Sequence, residues 1–177
     1  IKKHVQENFS DLSVVFIENN VFSSTNCLYS VWLAREQLND DIIYMTGDII
    51  LENSVLDKIL NSKESNLIYV NKEHELPDKD FKVKINNDLV ESVSVNESGT
   101  NVFFCLPIIK LSQNSVFLWL QKADELIRNG KVNVYETEAL NKILKNIELK
   151  PIYLSDFAME IDNSDDLFLA RNYFSKI

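Results

Sequence analysis

The amino-acid sequence predicts a three-layer α/β fold with a mostly parallel sheet and one β-hairpin insertion. Three patterns point there. From Ser13 to Val70, short β-branched runs alternate with segments of helical periodicity. The run Ile42-Ile43-Tyr44-Met45 is apolar without alternation, as a strand buried on both faces is, and leads into Gly47-Asp48. Around Asn86-Asn87-Asp88 the period becomes two, the mark of a hairpin with one wet face.

Lys2 to Phe9 reads as the end of a helix, and Ser13-Val14-Val15-Phe16-Ile17 as a buried strand stopped by Glu18-Asn19-Asn20. Leu28, Val31, Trp32 and Leu38 fall on one helical face, with Ser24 or Thr25 placed to cap it. After Asn39-Asp40-Asp41 comes the strand through Asp48, expected to be central in the sheet. A helix marked by Val55, Leu56, Ile59 and Leu60 follows, capped by Asn53 or Ser54, then a strand over Asn66 to Val70. That order implies right-handed crossovers and parallel neighbours. Phe81, Val83 and Ile85 alternate with Lys82 and Lys84, which puts both lysines on the solvated face; Leu89, Val93 and Val95 form the returning arm. Asn101 to Leu106 is a further strand. Ser112 or Ser115 opens a helix carrying Val116, Leu120, Ala123 and Ile127, closed by Gly130. Ala139, Leu140, Ile143 and Leu144 give another helix, Pro151 to Leu154 a strand, and Phe157 to Ile161 a short extended run. Asn163-Ser164-Asp165-Asp166 caps the last helix with acids in its first turn.

The 177 residues, 45% hydrophobic and 25% charged, suffice for one domain spanning 1–177. No apolar run approaches the ~20 residues that span a bilayer, so no membrane association is expected. A formal net charge of −9 opposes non-specific attachment to nucleic acid or anionic lipid, so a nucleotide partner, if there is one, must be held by a local site. Cys27 and Cys105 have no metal-type spacing and read as reduced packing residues of a cytoplasmic protein. His4 and His74 read as isolated surface residues, Phe103-Phe104 and Phe117-Leu118-Trp119 as core.

Chemistry concentrates in two acidic segments. In open α/β sheets ligands bind beyond the carboxyl ends of strands, so Asp48 is placed to hold a divalent cation against phosphates; a turn or a helix cap is its other reading. Met159-Glu160-Ile161-Asp162 is a second extended run ending in carboxylates before a capped helix. A nucleotide-bound Mg²⁺ takes one or two protein carboxylates, so two acids far apart in sequence could supply it, with a helix cap the alternative for Asp162.

Three segments, in this order, resemble the sugar-nucleotidyltransferase superfamily and within it the bacterial phosphocholine cytidylyltransferases. They are Asn19-Asn20 with the helix opening at Ser24-Thr25-Asn26-Cys27-Leu28-Tyr29-Ser30, then the strand into Gly47-Asp48-Ile49-Ile50-Leu51, then Glu160-Ile161-Asp162-Asn163-Ser164-Asp165-Asp166-Leu167. The resemblance implies a Rossmann-like fold of the nucleotide-diphospho-sugar transferase type. It implies transfer of a nucleotidyl group, cytidylyl from CTP, to a small phosphorylated acceptor such as phosphocholine, releasing pyrophosphate. It also implies that Asp48 and Asp162 are paired Mg²⁺ ligands and that Thr25 and Asn26 meet the nucleotide or line its pocket. Glu160, beside Asp162, belongs to the substrate site on the same reading. Tyr135-Glu136-Thr137-Glu138 resembles a family segment in which an aromatic and an acid face the acceptor, an arrangement suited to a cationic choline head. Plain capping explains Thr25 and Asn26, and an acidic helix start Glu136, equally well.

The family also carries a Gly-rich loop with an Arg after its first strand and, further on, a Pro-Lys pair. Here the only glycines are Gly47, Gly99 and Gly130, and they form no phosphate loop. The resemblance starts at what would be the third strand. Two βα units of ~30 residues each are therefore expected to exist elsewhere, as an upstream segment or a partner chain. The opening Ile1-Lys2-Lys3-His4, with neither initiator Met nor signal-peptide pattern, fits the later part of something longer. The implied reaction is in-line attack of an acceptor phosphate oxygen on the α-phosphorus of the NTP, with no general base because the nucleophile is already ionised. Two other readings are a nucleotide-sugar-dependent glycosyltransferase using Gly47-Asp48 as the remnant of an acidic metal motif, and a non-catalytic binding or regulatory domain of the same fold.

Overall fold

In the computed structural model, which describes residues 1–76 and 78–176, six helices and eight strands follow in order. They are α1 (Lys2–Asn8), α2 (Cys27–Leu33), β1 (Ile42–Tyr44), β2 (Ile49–Leu51), α3 (Asn53–Asn61), β3 (Leu67–Asn71), β4 (Lys82–Asn86), β5 (Leu89–Ser94), β6 (Val102–Leu111), α4 (Gln113–Arg128), α5 (Thr137–Asn141), β7 (Lys150–Tyr153), β8 (Ala158–Glu160) and α6 (Ser164–Phe174). Short 3₁₀ turns at Phe22–Ser24 and Arg35–Gln37 flank α2.

The long strand β6 shows why this is a three-layer molecule. Its side chains alternate between faces with a period of two. Cys105, Ile109 and Leu111 point into one core with Leu28 of α2, Val116, Trp119 and Ala123 of α4, and Leu140 of α5. Phe104, Leu106 and Ile108 enter a second core with Val55 and Ile59 of α3 and, more loosely, Ile49, Leu51 and Ala158. Both faces are covered, so the sequence of β6 is almost continuously apolar. Pro107 interrupts its hydrogen bonding, and the register with β3 shifts there, from Ile68 opposite Ile109 to Val70 opposite Cys105. A bulge is where a residue without an N–H is tolerated inside a sheet.

The main sheet has the order β5-β4-β6-β3-β7, with β1 on β6 alone. Four of its six strands, β1, β3, β4 and β7, share one direction; β5 and β6 oppose them. Because β6 is inserted among the like-directed strands, β3 and β7 form the parallel ladder and the other pairs are antiparallel. A two-stranded ladder, β2 with β8, lies apart from it.

Several sequence expectations need correction. The run from Ile42 to Leu51 is two strands, because the chain turns at Gly47-Asp48 and passes from the main sheet into the small ladder. β1 is accordingly an edge strand among the described residues, not a central one. Ser13–Ile17 is no strand: it has no regular structure, and Val14, Val15 and Ile17 are exposed. Asn26, not Ser24 or Thr25, caps α2, its Oδ1 accepting from the Cys27 amide at 2.7 Å. Position 52, not Asn53 or Ser54, is the N-cap of α3, with no side-chain cap bond. Lys82 is buried, not solvated. Its ammonium donates to the carbonyls of Asp78 (3.1 Å), Asp80 (3.3 Å) and Val95 (2.8 Å), which meets the requirement that a buried charge be fully hydrogen-bonded. Phe117 is 60% exposed. The Ser112 cap, the left-handed Gly130 after α4 and the capping box of Asn163 and Asp166 form as the sequence indicates. Among the described residues, no helix is long and apolar enough to cross a membrane.

Candidate active site

The turn between β1 and β2 brings the acidic segments together. The Asp48 carbonyl accepts from the Ile161 amide at 2.9 Å, and the next pair, Ile49 with Glu160, opens the β2/β8 ladder. Asp48, Glu160 and Asp162 thus share one corner. Apart from its two chain neighbours, no heavy atom of the described residues lies within 4 Å of where a Cβ would stand at Gly47, so the corner is open beside Asp48. The Asp162 carboxylate is not used in the helix cap: Asn163 Oδ1 accepts from the amides of Asp165 and Asp166, while the Asp162 amide donates to Asp166 Oδ2. The Asp162 carboxylate meets Lys79 Nζ at 3.4 Å instead.

Electrostatics mark this corner as short of positive charge. Burial pushes the Glu160 carboxyl up to about 7, and the charges of Asp48, Asp162 and Asp80 push in the same direction. A weak bond from Thr46 Oγ1, at 3.4 Å, is the opposing influence. Carboxylates crowded in this way gain from a cation, and hard oxygen donors suit Mg²⁺. Among the described residues, no three His, Cys, Asp or Glu side chains converge as a complete protein cage. A nucleotide-borne Mg²⁺ does not require one, because phosphate oxygens and waters fill the remaining positions.

Two cavities adjoin the corner. A cleft of about 460 Å³ separates α2 from β1, lined by Cys27, Ser30, Val31, Ala34 and Leu38 on one side and Tyr44 to Asp48 on the other. A second, of about 300 Å³, includes His74, Lys79, Asp80, Phe104, Met159, Glu160 and Asp162 in its walls, with the His74 ring 4.1 Å from that of Phe104.

Thr25 and Asn26 sit at the mouth of α2, next to Cys27 of the first cleft. Both are occupied locally, Thr25 Oγ1 donating to the Val21 carbonyl and accepting from Asn19 Nδ2 while Asn26 caps the helix. The Asn26 and Leu28 amides donate to the carbonyls of Val132 and Val134, which ties the start of α2 to the segment leading to Glu136. Glu136 is buried behind Tyr44 and Cys27 rather than on the cleft surface. Among the described residues, neither carboxyl oxygen has a partner of normal hydrogen-bond geometry, although the Tyr44 phenol is near enough to influence it. Burial pushes this carboxyl up from its ordinary value, against the opposing influence of the Tyr44 phenol. Tyr135 is on the surface, edge-on to Phe81 at 5.1 Å. Lys79 and Asp80 escaped sequence reasoning, since a polar turn carries no periodic signal; His74 is exposed as the sequence indicates, with its ring against Phe104 of β6.

No protein-family model matches the chain. Over 60 residues, 34% of its length, it is 32% identical to the CMP-5'-(3-aminopropyl)phosphonate synthase of Streptomyces rubellomurinus (strain ATCC 31215), of which those residues are 10%. Its coordinates superpose on an inositol-1-phosphate CTP transferase from T. maritima with a TM-score of 0.76 and 17% identity, over 99% of this chain and 71% of that one. The CTP:phosphocholine cytidylyltransferase of Streptococcus pneumoniae gives a TM-score of 0.72 and 16% identity, over 98% and 74%. The chain shares the fold of these two transferases. UDP-glucose pyrophosphorylase, at TM-score 0.68 and 9% identity, shares the same nucleotidyltransferase architecture. The chain spans nearly three quarters of these solved nucleotidyltransferases and about a tenth of the curated relative it matches.

Proposed function

We propose that the chain serves nucleotidyl transfer, moving a cytidylyl group from CTP to a small phosphate- or phosphonate-bearing acceptor such as phosphocholine. An acceptor oxygen would form the new bond to the α-phosphorus, the bond from that phosphorus to the β-phosphate bridging oxygen would break, and pyrophosphate would leave with the electron pair. The observation that carries this reading is the corner itself. The backbone hydrogen bond from Ile161 to Asp48 and the β2/β8 ladder beside it hold two chain-distant acidic segments together. The names of the similar proteins add the cytidine preference, because the synthase and two of the solved structures are named for CMP or CTP.

On this reading Asp48 and Asp162 would hold Mg²⁺, which when bound supplies charge neutralisation at the phosphate oxygens. The remaining work falls to positioning. The β2/β8 ladder fixes Glu160 between the two aspartates, and Asn163 takes over helix capping so that Asp162 is left to the site. Lys79, already on Asp162, is placed to meet a phosphate oxygen from the second cavity. Pyrophosphate release from CTP, UTP, dTTP and GTP, each with phosphocholine, 3-aminopropylphosphonate or a sugar phosphate, tests the proposal on the full-length polypeptide. Turnover should be fastest with CTP and require Mg²⁺; a polypeptide that turns over none of these pairs is no such enzyme. The alternative on the same fold is a non-catalytic binding or regulatory domain. Saturable CTP binding without pyrophosphate release from any pair would establish it.

A further inference from the structure

The polar loop from β3 to β4 puts Lys79 and Asp80 into the wall of the second cavity, yet it has little of its own to hold it there. Among the described residues, no main-chain hydrogen bond reaches 78–80. The 3.4 Å ion pair of Lys79 with Asp162 is exposed on both sides, and such pairs fix a chain poorly. The turn is held from beneath instead, by a side chain of the sheet. Lys82 opens β4 and is paired with Ser94 of β5 on one side and Phe104 of β6 on the other, so its main chain is fixed. Its buried ammonium reaches the carbonyls of Asp78 and Asp80, the residues on either side of Lys79, and that of Val95 just beyond β5.

We infer that Lys82 is a positioning residue for phosphate recognition: by clamping the carbonyls of Asp78 and Asp80 it sets the root of Lys79, whose ammonium then stands at Asp162 and faces the second cavity. The inference rests on the nucleotidyl-transfer reading, in which Lys79 meets a phosphate oxygen in that cavity. Stability alone is a poor reason for an ammonium at this place, because a buried charge rarely holds a fold better than an apolar side chain of the same size. Direct contact with a phosphate is excluded while the clamp is closed, since an ammonium has three donors and three carbonyls occupy them. Placement of Lys79 remains. That side chain is 69% exposed and free to turn, so only its backbone can be set in advance. A root fixed on both sides reduces the ordering that phosphate binding would otherwise require.

The full-length polypeptide, Lys79→Met, Lys82→Met and the double variant form the test, assayed with CTP and the fastest acceptor of the panel at a temperature where all four are folded. Lys79→Met should raise the acceptor KM by ~10-fold or more, as loss of a charge-assisted hydrogen bond to phosphate does, with the urea midpoint unchanged. Lys82→Met should raise the same KM by a similar factor, and the double variant by no more than either single one, because Lys82 acts through Lys79. Lys82→Arg separates this from folding: it keeps the buried charge, but its longer, planar head displaces the turn and should raise KM as well, again without further effect in the Lys79→Met background. Factors that multiply in the double variants, or an acceptor KM untouched in both Lys82 variants, would make Lys82 purely structural and overturn the inference. An acceptor KM unchanged in Lys79→Met would overturn it too, with transfer itself still standing. A parent polypeptide that turns over no pair would remove the transfer reading and this inference with it.

Discussion

The main-chain carbonyl of Asp48 accepts a 2.9 Å hydrogen bond from the amide of Ile161, and that contact sets two acidic segments side by side. Neither aspartate carboxylate is needed to hold the corner. Asp48 is exposed and, among the described residues, the Asp162 carboxylate has only the exposed ion pair with Lys79, so their substitution should separate activity from stability.

Asp48→Asn in the full-length polypeptide is expected to lower Mg²⁺-dependent pyrophosphate release by at least the ~100-fold that loss of even an outer-shell metal partner can cost. Its urea midpoint should stay close to that of the parent, since removing one of several crowded negative charges relieves repulsion. Activity within a few-fold of the parent would show that Asp48 is not a ligand.

Asp162 and Asn163 are adjacent but have different roles, and a pair of alanine substitutions tells them apart. Asn163→Ala removes a cap with two amide partners and should cost about 1 kcal/mol in urea unfolding. Asp162→Ala breaks one exposed ion pair worth at most ~1 kcal/mol and should leave stability nearly unchanged while abolishing turnover. The opposite pattern would make Asp162 structural.

Lys82→Met should destabilise the fold by about 2–3 kcal/mol. The substitution keeps most of the side-chain volume but leaves the carbonyls of Asp78, Asp80 and Val95 without their donor, and each bond to a buried charge is strong. Exchange of the amides at 78–80, measured on the same variant, should rise with it. A variant as stable as the parent would mean that water replaces the ammonium without cost.

Glu136→Gln has a pH-dependent expectation with a definite sign. Because burial raises the carboxyl above its ordinary 4.5, the native state binds this proton more tightly than the unfolded chain does. The stability so contributed is complete below 4.5 and is lost as pH rises through the raised native value. Thermal unfolding should therefore find the variant more stable than the parent at pH 8 and close to it near pH 4. Identical differences at both pH values would place a compensating positive charge beside Glu136.

Read alone, the sequence determined the α/β class, most helices and strands, the caps at Ser112 and Asn163 and the two acidic segments. Those features are legible because periodicity, cap chemistry and a Gly-Asp step are local properties of a few consecutive residues. What those residues pair with is not local, and there the tertiary structure decided. Ser13–Ile17 has the composition of a strand but no neighbour to bond, and it stays irregular and exposed. Lys82 alternates with apolar residues as a solvated lysine would, yet carbonyls from both sides of the hairpin close over it. Glu136 reads as an acidic helix start, and only the packing of Tyr44, Cys27 and Trp119 shows that it is sealed from water without a normal partner. Asp48 reads as the end of one long strand. Its place in a corner, within a backbone hydrogen bond of Ile161, exists because the chain turns at Gly47 and β8 supplies the edge that β2 needs.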